Sequence, residues 1–317
     1  EPLPGTPPGT YHVELILFDK ETLATAPLTD GRLTLDLGTV QITPPGETTP
    51  PPAQYSADFA WDGLRLTGYS LDRAEAAPGD PFLLTLIWRA DTDPTADYVA
   101  RLSLMDENGR AAFQLDLPPV RDDFPTGQWA AGDWWRGQHG FRLPVNLESG
   151  DYRWQLALCD GICNGREPTA DLNTLTIHAP DRTFTPPPLD ISLDAQFGDL
   201  ATLLGINLTP TPTHPLTPTL LWRAERETPT SYRVFIHLVD GSGQILAQSD
   251  GEPANWTRPT TGWLPGEIIS DAHTLDLSAV PAGTYQLKIG LYDPLGGGRV
   301  PLPDGETAVT LPNIVVP

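Results

Sequence analysis

Five tryptophans, two acid–histidine pairs and two cysteines are the residues of this sequence best placed to do chemistry. In GQWAAGDWWRG, Trp129, Trp134 and Trp135 fall within seven residues, and ANWTRPTTGW sets Trp256 and Trp263 in a matching stretch. Pyranose rings have apolar faces that stack on exposed indoles, so clustered surface tryptophans suit polysaccharide binding. Adjacent strand residues point to opposite faces. One of Trp134 and Trp135 is therefore expected in the core, and the other, with Trp256, exposed; Trp134, Trp135 and Trp256 are the candidate carbohydrate-stacking residues. Asp116 with His139, and Asp250 with His273, have side chains suited to acid–base work. Each pair recurs at the same place in two copies of a repeat, and a feature present in every copy is expected to serve the scaffold. Cys159 and Cys163, in LCDGICNGR, flank an Asp-Gly turn that can bring two sulfurs together. A local disulfide is the expectation, and two half-buried free thiols the alternative.

Other chemistry lacks a signature. The sequence contains no G-x-S-x-G, H-E-x-x-H, G-x-x-x-x-G-K-[ST] or G-x-G-x-x-G. A glycosidase pair is defined by separation in space, which sequence does not reveal. The expectation is a protein that is not an enzyme and has no cofactor. Acidic turns such as MDENGR and VDGSGQ hold oxygen ligands, but none has EF-hand spacing, so calcium is unsupported by a motif and no metal residues are named. The sequons at Asn207 and Asn255 are treated as incidental.

These residues sit in a repeat. An offset of 134 maps Trp88 onto Trp222, Tyr98 onto Tyr232, Gly109 onto Gly243 and Asp116 onto Asp250. It continues through Trp129 and Trp263, Gly132 and Gly266, and His139 and His273. Pro-rich stretches, TPPGETTPPPAQ and APDRTFTPPPLD, mark the fronts of the copies and favour extended, semi-rigid spacers. The phrase G-[TD]-Y ending in [FYC]-D occurs three times, at residues 9–19, 150–160 and 283–293. Residues 9–43 thus match only the back end of a module. The expected division is 1–47, the C-terminal part of a first module plus linker; 48–180, a second module; and 181–317, a third.

Within a module, LLTLIW, YVARLSLMD and DYRWQLALCD are short apolar or alternating runs ended by turns, which predicts strands at sandwich spacing. The fold expected is all-β: tandem immunoglobulin-like β-sandwiches joined by Pro/Thr-rich linkers, with a jelly roll the close alternative. Trp88 and Trp222, mid-strand among apolar neighbours, are the expected core anchors.

The succession L-x-GY, PGD, L-x-W-R-A, D-x-x-P, P-T-x-x-W-x-x-G-[DE] and G-[TD]-Y resembles a bacterial β-sandwich repeat found in extracytoplasmic tails of large envelope proteins of Chloroflexota-like bacteria, some of them glycosyltransferase-like. The resemblance implies an extracytoplasmic location and an accessory role, and transfers no catalytic residue.

Composition bounds the partners. The formal charge is -22, and lysine occurs only at Lys20 and Lys288. Such a chain repels nucleic acid and anionic membranes. No apolar run is long enough to span a bilayer, so no direct membrane insertion is expected in this segment. No signal peptide opens the chain, and Glu1 is read as lying inside a longer or processed protein. The leading expectation is a non-catalytic extracellular or cell-surface structural protein that contacts other copies of itself or other envelope proteins, with residues 1–43 completed by strands from elsewhere. The alternative is a carbohydrate-binding array serving a polysaccharide-processing enzyme.

Overall fold

In the computed structural model, residues 3–17, 28, 32, 34–43, 50–208 and 215–316 are described. Lys20, most of the Pro/Thr stretch before residue 50, the boundary at 47/48 and Thr209 of the first sequon lie outside them. The chain divides into two compact units, one of residues 1–16 and 27–179, the other of 17–26 and 180–317. The back-end fragment expected at 1–47 therefore belongs mostly with the first unit.

That fragment is a hairpin of β1 (Gly9–Leu15) and β2 (Leu35–Ile42). The remainder of the first unit runs β3 (Tyr55–Trp61), β4 (Leu64–Leu71), β5 (Glu75–Ala76), β6 (Pro81–Ala90), β7 (Tyr98–Met105), β8 (Ala111–Leu117), β9 (Trp134–Arg142), β10 (Gly150–Asp160) and β11 (Thr169–Ile177). One sheet has the order β3-β4-β6-β9, the other β5-β11-β10-β7-β8. The second unit runs β12 (Ile191–Phe197), β13 (Ala201–Asn207), β14 (Thr219–Ala224), β15 (Arg233–Val239), β16 (Ile245–Gly251), β17 (Ile268–Ala272), β18 (Gly283–Tyr292) and β19 (Val309–Val316). Its sheets repeat the plan, β12-β13-β14-β17 and β16-β15-β18-β19.

With β4 as the first strand of an immunoglobulin-like sandwich, β6 and β9 complete one sheet and β8-β7-β10-β11 form the other. The order A-B-E against C′-C-F-G is immunoglobulin-like, with β3 as an added edge. This order excludes the jelly roll.

The tyrosine of the recurring phrase explains its three occurrences. Tyr11, Tyr152 and Tyr285 each donate their hydroxyl to the carbonyl four residues upstream, on Pro7, Glu148 and Pro281, at 2.9, 3.1 and 2.8 Å. This is the tyrosine corner that opens the sixth strand of such sandwiches. A register shift lies within three residues of the tyrosine in each hairpin, between His12 and Glu14, Arg153 and Gln155, and Tyr285 and Leu287.

The repeated Pro-Thr-x-x-Trp has a similar account. The Thr126 hydroxyl donates to the Ala96 carbonyl at 2.8 Å and accepts from the Tyr98 amide at 2.9 Å. Thr260 does the same with Thr230 and Tyr232, at 2.8 and 2.9 Å. Each threonine thus satisfies two backbone groups that would otherwise be buried unpaired. The following tryptophans, Trp129 and Trp263, are buried, as are Trp88 and Trp222 at the centres of β6 and β14. In the second unit the buried Glu267 is paired with both Arg182 and Arg258, which ties the approach segment to the start of β17.

Candidate functional site

The tryptophan cluster does not survive as a cluster. Trp135 is directly opposite Trp88 on neighbouring strands and points inward with it. It is 4% exposed and packs edge-on against Phe124, with ring centroids 4.9 Å apart. A sugar cannot reach it, which corrects its candidacy as a stacking residue. Trp134, on the opposite face, is half-buried under the Arg89 guanidinium, 5.4 Å from its ring.

Trp256 is different. It is 40% exposed, and it closes a run of three non-glycine residues with positive φ: Ala254 at 53°, Asn255 at 54° and Trp256 at 69°. A left-handed turn costs roughly 1–2 kcal/mol per such residue, so contacts must hold it in place. The Trp256 amide donates to Glu252 at 3.1 Å, the Arg258 amide to Pro253 at 3.1 Å, and the Thr257 hydroxyl to Ala254 at 2.7 Å. The Ala254 amide donates to the Asp271 carboxyl at 2.7 Å.

Asp271 is the centre of this arrangement. With no exposure at all, it also accepts from Trp222 Nε1 at 3.2 Å and engages His273 Nε2 at 2.9 Å. The other His273 nitrogen, Nδ1, meets the Ser249 hydroxyl at 2.9 Å. The chain Ser249–His273–Asp271 therefore links the surface to the core tryptophan and, through Ala254, to the turn carrying Trp256. The first unit has no counterpart. Gly137 stands where Asp271 does, and a side chain there would meet the Pro119 carbonyl at 2.2 Å. Leu115 and Asp122 occupy the places of Ser249 and Trp256, and Trp88 Nε1 is left without a hydrogen-bond partner.

Trp256, Asn255, Glu252, Asp250, Ser249 and His273 line a cavity of about 470 Å³. That volume falls within the usual range for small-ligand sites. The Arg233 guanidinium lies 4.9 Å from the Trp256 ring, and Glu252 accepts from the Ser231 hydroxyl at 2.7 Å. Asp250 also borders a smaller cavity of about 150 Å³ with His237 and Arg299.

Neither acid–histidine pair forms a hydrogen-bonded couple. Asp116 makes a two-pronged ion pair with Arg101 at 2.6 and 2.7 Å, which holds its carboxyl below the usual range. His139 faces the Pro119 carbonyl at 3.3 Å, and burial lowers its pKa. Asp250 and His273 share the cavity without bonding each other, and His273 takes Asp271 as its acid.

Cys159 and Cys163 are disulfide-bonded, with Cα atoms 5.0 Å apart. Among the described residues, no group of three or more His, Cys, Asp or Glu side chains is placed to hold a metal ion. Among those residues, no helix is long and apolar enough to cross a membrane.

The fold and the cavity together define a tandem immunoglobulin-like sandwich protein with a polar, tryptophan-flanked cleft in its second unit. No protein-family model matches the chain, and no curated protein matches it. Among solved structures, the C-terminal domain of wzt is similar to 40% of this chain over 80% of its own length, at 15% identity and a TM-score of 0.27. A likeness at that level carries no argument about function.

Proposed function

We propose that this chain is a non-catalytic carbohydrate-binding protein whose site is the Trp256 cavity. The observation that carries this reading is an exposed indole held by a strained left-handed turn at a cavity walled with oxygen and nitrogen groups. Strained backbone is retained where function needs a particular pose. An apolar face beside hydrogen-bonding groups is what a pyranose ring requires. The Cys159–Cys163 bridge suits an oxidising compartment, and the resemblance to envelope tails suits the same address, so the working location is outside the cytosol. The test is a glycan array probed with the wild type, Trp256→Ala and Trp134→Ala. Signal lost only in Trp256→Ala supports the site, and signal retained there removes it.

A second reading, assembly through the β1–β2 hairpin, is favoured by a specific comparison. Val13 and Leu15 correspond to Trp154 and Leu156 in β10 and to Leu287 and Ile289 in β18, which are fully buried. In the hairpin they are 36% and 45% exposed. In β10, Trp154 is covered by Phe82 and Phe141 of the facing sheet, and β10 also pairs with β7. Another sandwich adding a strand to the hairpin by β-augmentation, with its facing sheet brought over Val13 and Leu15, would complete it. The solution masses of residues 1–317 and 48–317 test this, since assembly confined to the longer chain is the expected result.

A further inference from the structure

The wall of the Trp256 cavity is acidic, and the two units show how it became so. In the first unit Asp116 is neutralised by Arg101, its direct neighbour across the β7–β8 pair. The second unit has Phe235 opposite Asp250 at the same register. Asp250 there meets His237 Nε2 at 3.5 Å in place of an arginine partner across the strand pair. Two residues further on, where the first unit has Pro118, the second has Glu252, also in the cavity wall. Among the described residues, no lysine or arginine lines this cavity. Arg233 lies over the indole of Trp256, and Arg299 covers the Phe235 ring at 4.3 Å beside the smaller cavity.

Resting on the carbohydrate reading of this cavity, we propose that its ligand is a sugar bearing a free amino group. A sugar seated on Trp256 removes water from Asp250 and Glu252, and a carboxylate stripped of water without a counter-charge is costly. An acidic sugar adds a like charge to that wall. A neutral sugar offers hydroxyl donors but brings no counter-charge, whereas an ammonium group supplies a charge and several donors at once. A charge-assisted hydrogen bond is worth roughly ten- to a hundredfold in affinity. The amine should therefore raise affinity at least about tenfold over its N-acetylated counterpart.

The test titrates the full chain with glucosamine tetramer, N-acetylglucosamine tetramer and a uronic acid tetramer, following intrinsic tryptophan fluorescence and heat. The expected order is amine, then N-acetyl, then uronate, with the amine's advantage shrinking in high salt. Glu252→Gln and Asp250→Asn should each bring the affinity for the amine down toward that for the N-acetyl form, about tenfold or more. Equal binding of the amine and N-acetyl forms, both lost in Trp256→Ala, overturns the amine inference and leaves the carbohydrate reading standing. Absence of binding by all three, together with a glycan array lacking any Trp256-dependent signal, overturns both.

Discussion

Replacing Asp271 by alanine probes how the site is built into the fold. The carboxyl is fully buried and serves three donors: the indole of Trp222, the amide of Ala254 and the ring of His273. A buried donor left unpaired costs about 1–3 kcal/mol. The first unit tolerates the matching orphan, Trp88 Nε1, so the indole belongs at the low end of that range. His273 keeps Ser249, which lowers its share as well. The three losses share one acceptor and do not add fully. The expected destabilisation of the second unit is therefore about 2–4 kcal/mol. In a unit of this size that is a fall in melting temperature of about 6–16 °C. Calorimetry should show the second unit's transition moving while the first unit's stays in place, because Trp222, Ala254 and His273, the hydrogen-bond partners of Asp271, belong to its own unit. Asp271→Asn retains a carbonyl acceptor and should lose only about 1–2 kcal/mol. A loss below about 1 kcal/mol for alanine, or an equal fall in both transitions, would refute the reasoning.

Burial holds the His139 imidazole below its ordinary pKa, opposed in part by the Pro119 carbonyl and Asp122. The unfolded chain therefore takes up a proton more readily than the folded one. The contribution is fully present above the unfolded value of about 6.5 and is lost as pH falls below it. Urea titrations between pH 7.5 and 5 should show this slope in the first unit's transition and its flattening in His139→Gln. The Cys159–Cys163 bridge closes a loop of sequence separation 4, for which chain entropy gives about 2 kcal/mol. Reduction, or the double serine variant, should lower the first unit's stability by that amount, measured by urea midpoint. Val13→Asp with Leu15→Asp should abolish concentration-dependent assembly of the full chain, read by ultracentrifugation, with both unfolding transitions preserved; assembly that persists argues against the hairpin as the contact.

What recurs at an offset of 134 was legible, because it builds the scaffold. Trp88 and Trp222, Thr126 and Thr260, and the three corner tyrosines satisfy the same backbone groups or fill the same core positions in each copy, so their spacing predicted the sandwich. The alternation of side chains along a strand placed one of Trp134 and Trp135 in the core. Deciding which one required the register that sets Trp135 against Trp88. The cavity was not legible in the repeats because it is made of their differences: Ser249 for Leu115, Asp271 for Gly137, Trp256 for Asp122 and Phe235 for Arg101. No glycine marks the left-handed turn at Ala254–Trp256, so nothing local announced it; tertiary contacts through Asp271 impose it. Aligning the copies and asking where chemistry enters only one of them would have pointed to these positions.

The measurement that bears most directly on the central claim is titration calorimetry of the wild type and Trp256→Ala with the glycan giving the strongest array signal. Covering most of the exposed part of the indole removes some 80 Å² of apolar surface from water, worth about 2 kcal/mol or roughly thirtyfold in affinity. The account predicts a loss of that size, or of all measurable binding, with the cooperative unfolding transition of the second unit retained. Affinity equal to that of the wild type in a folded Trp256→Ala protein would contradict it.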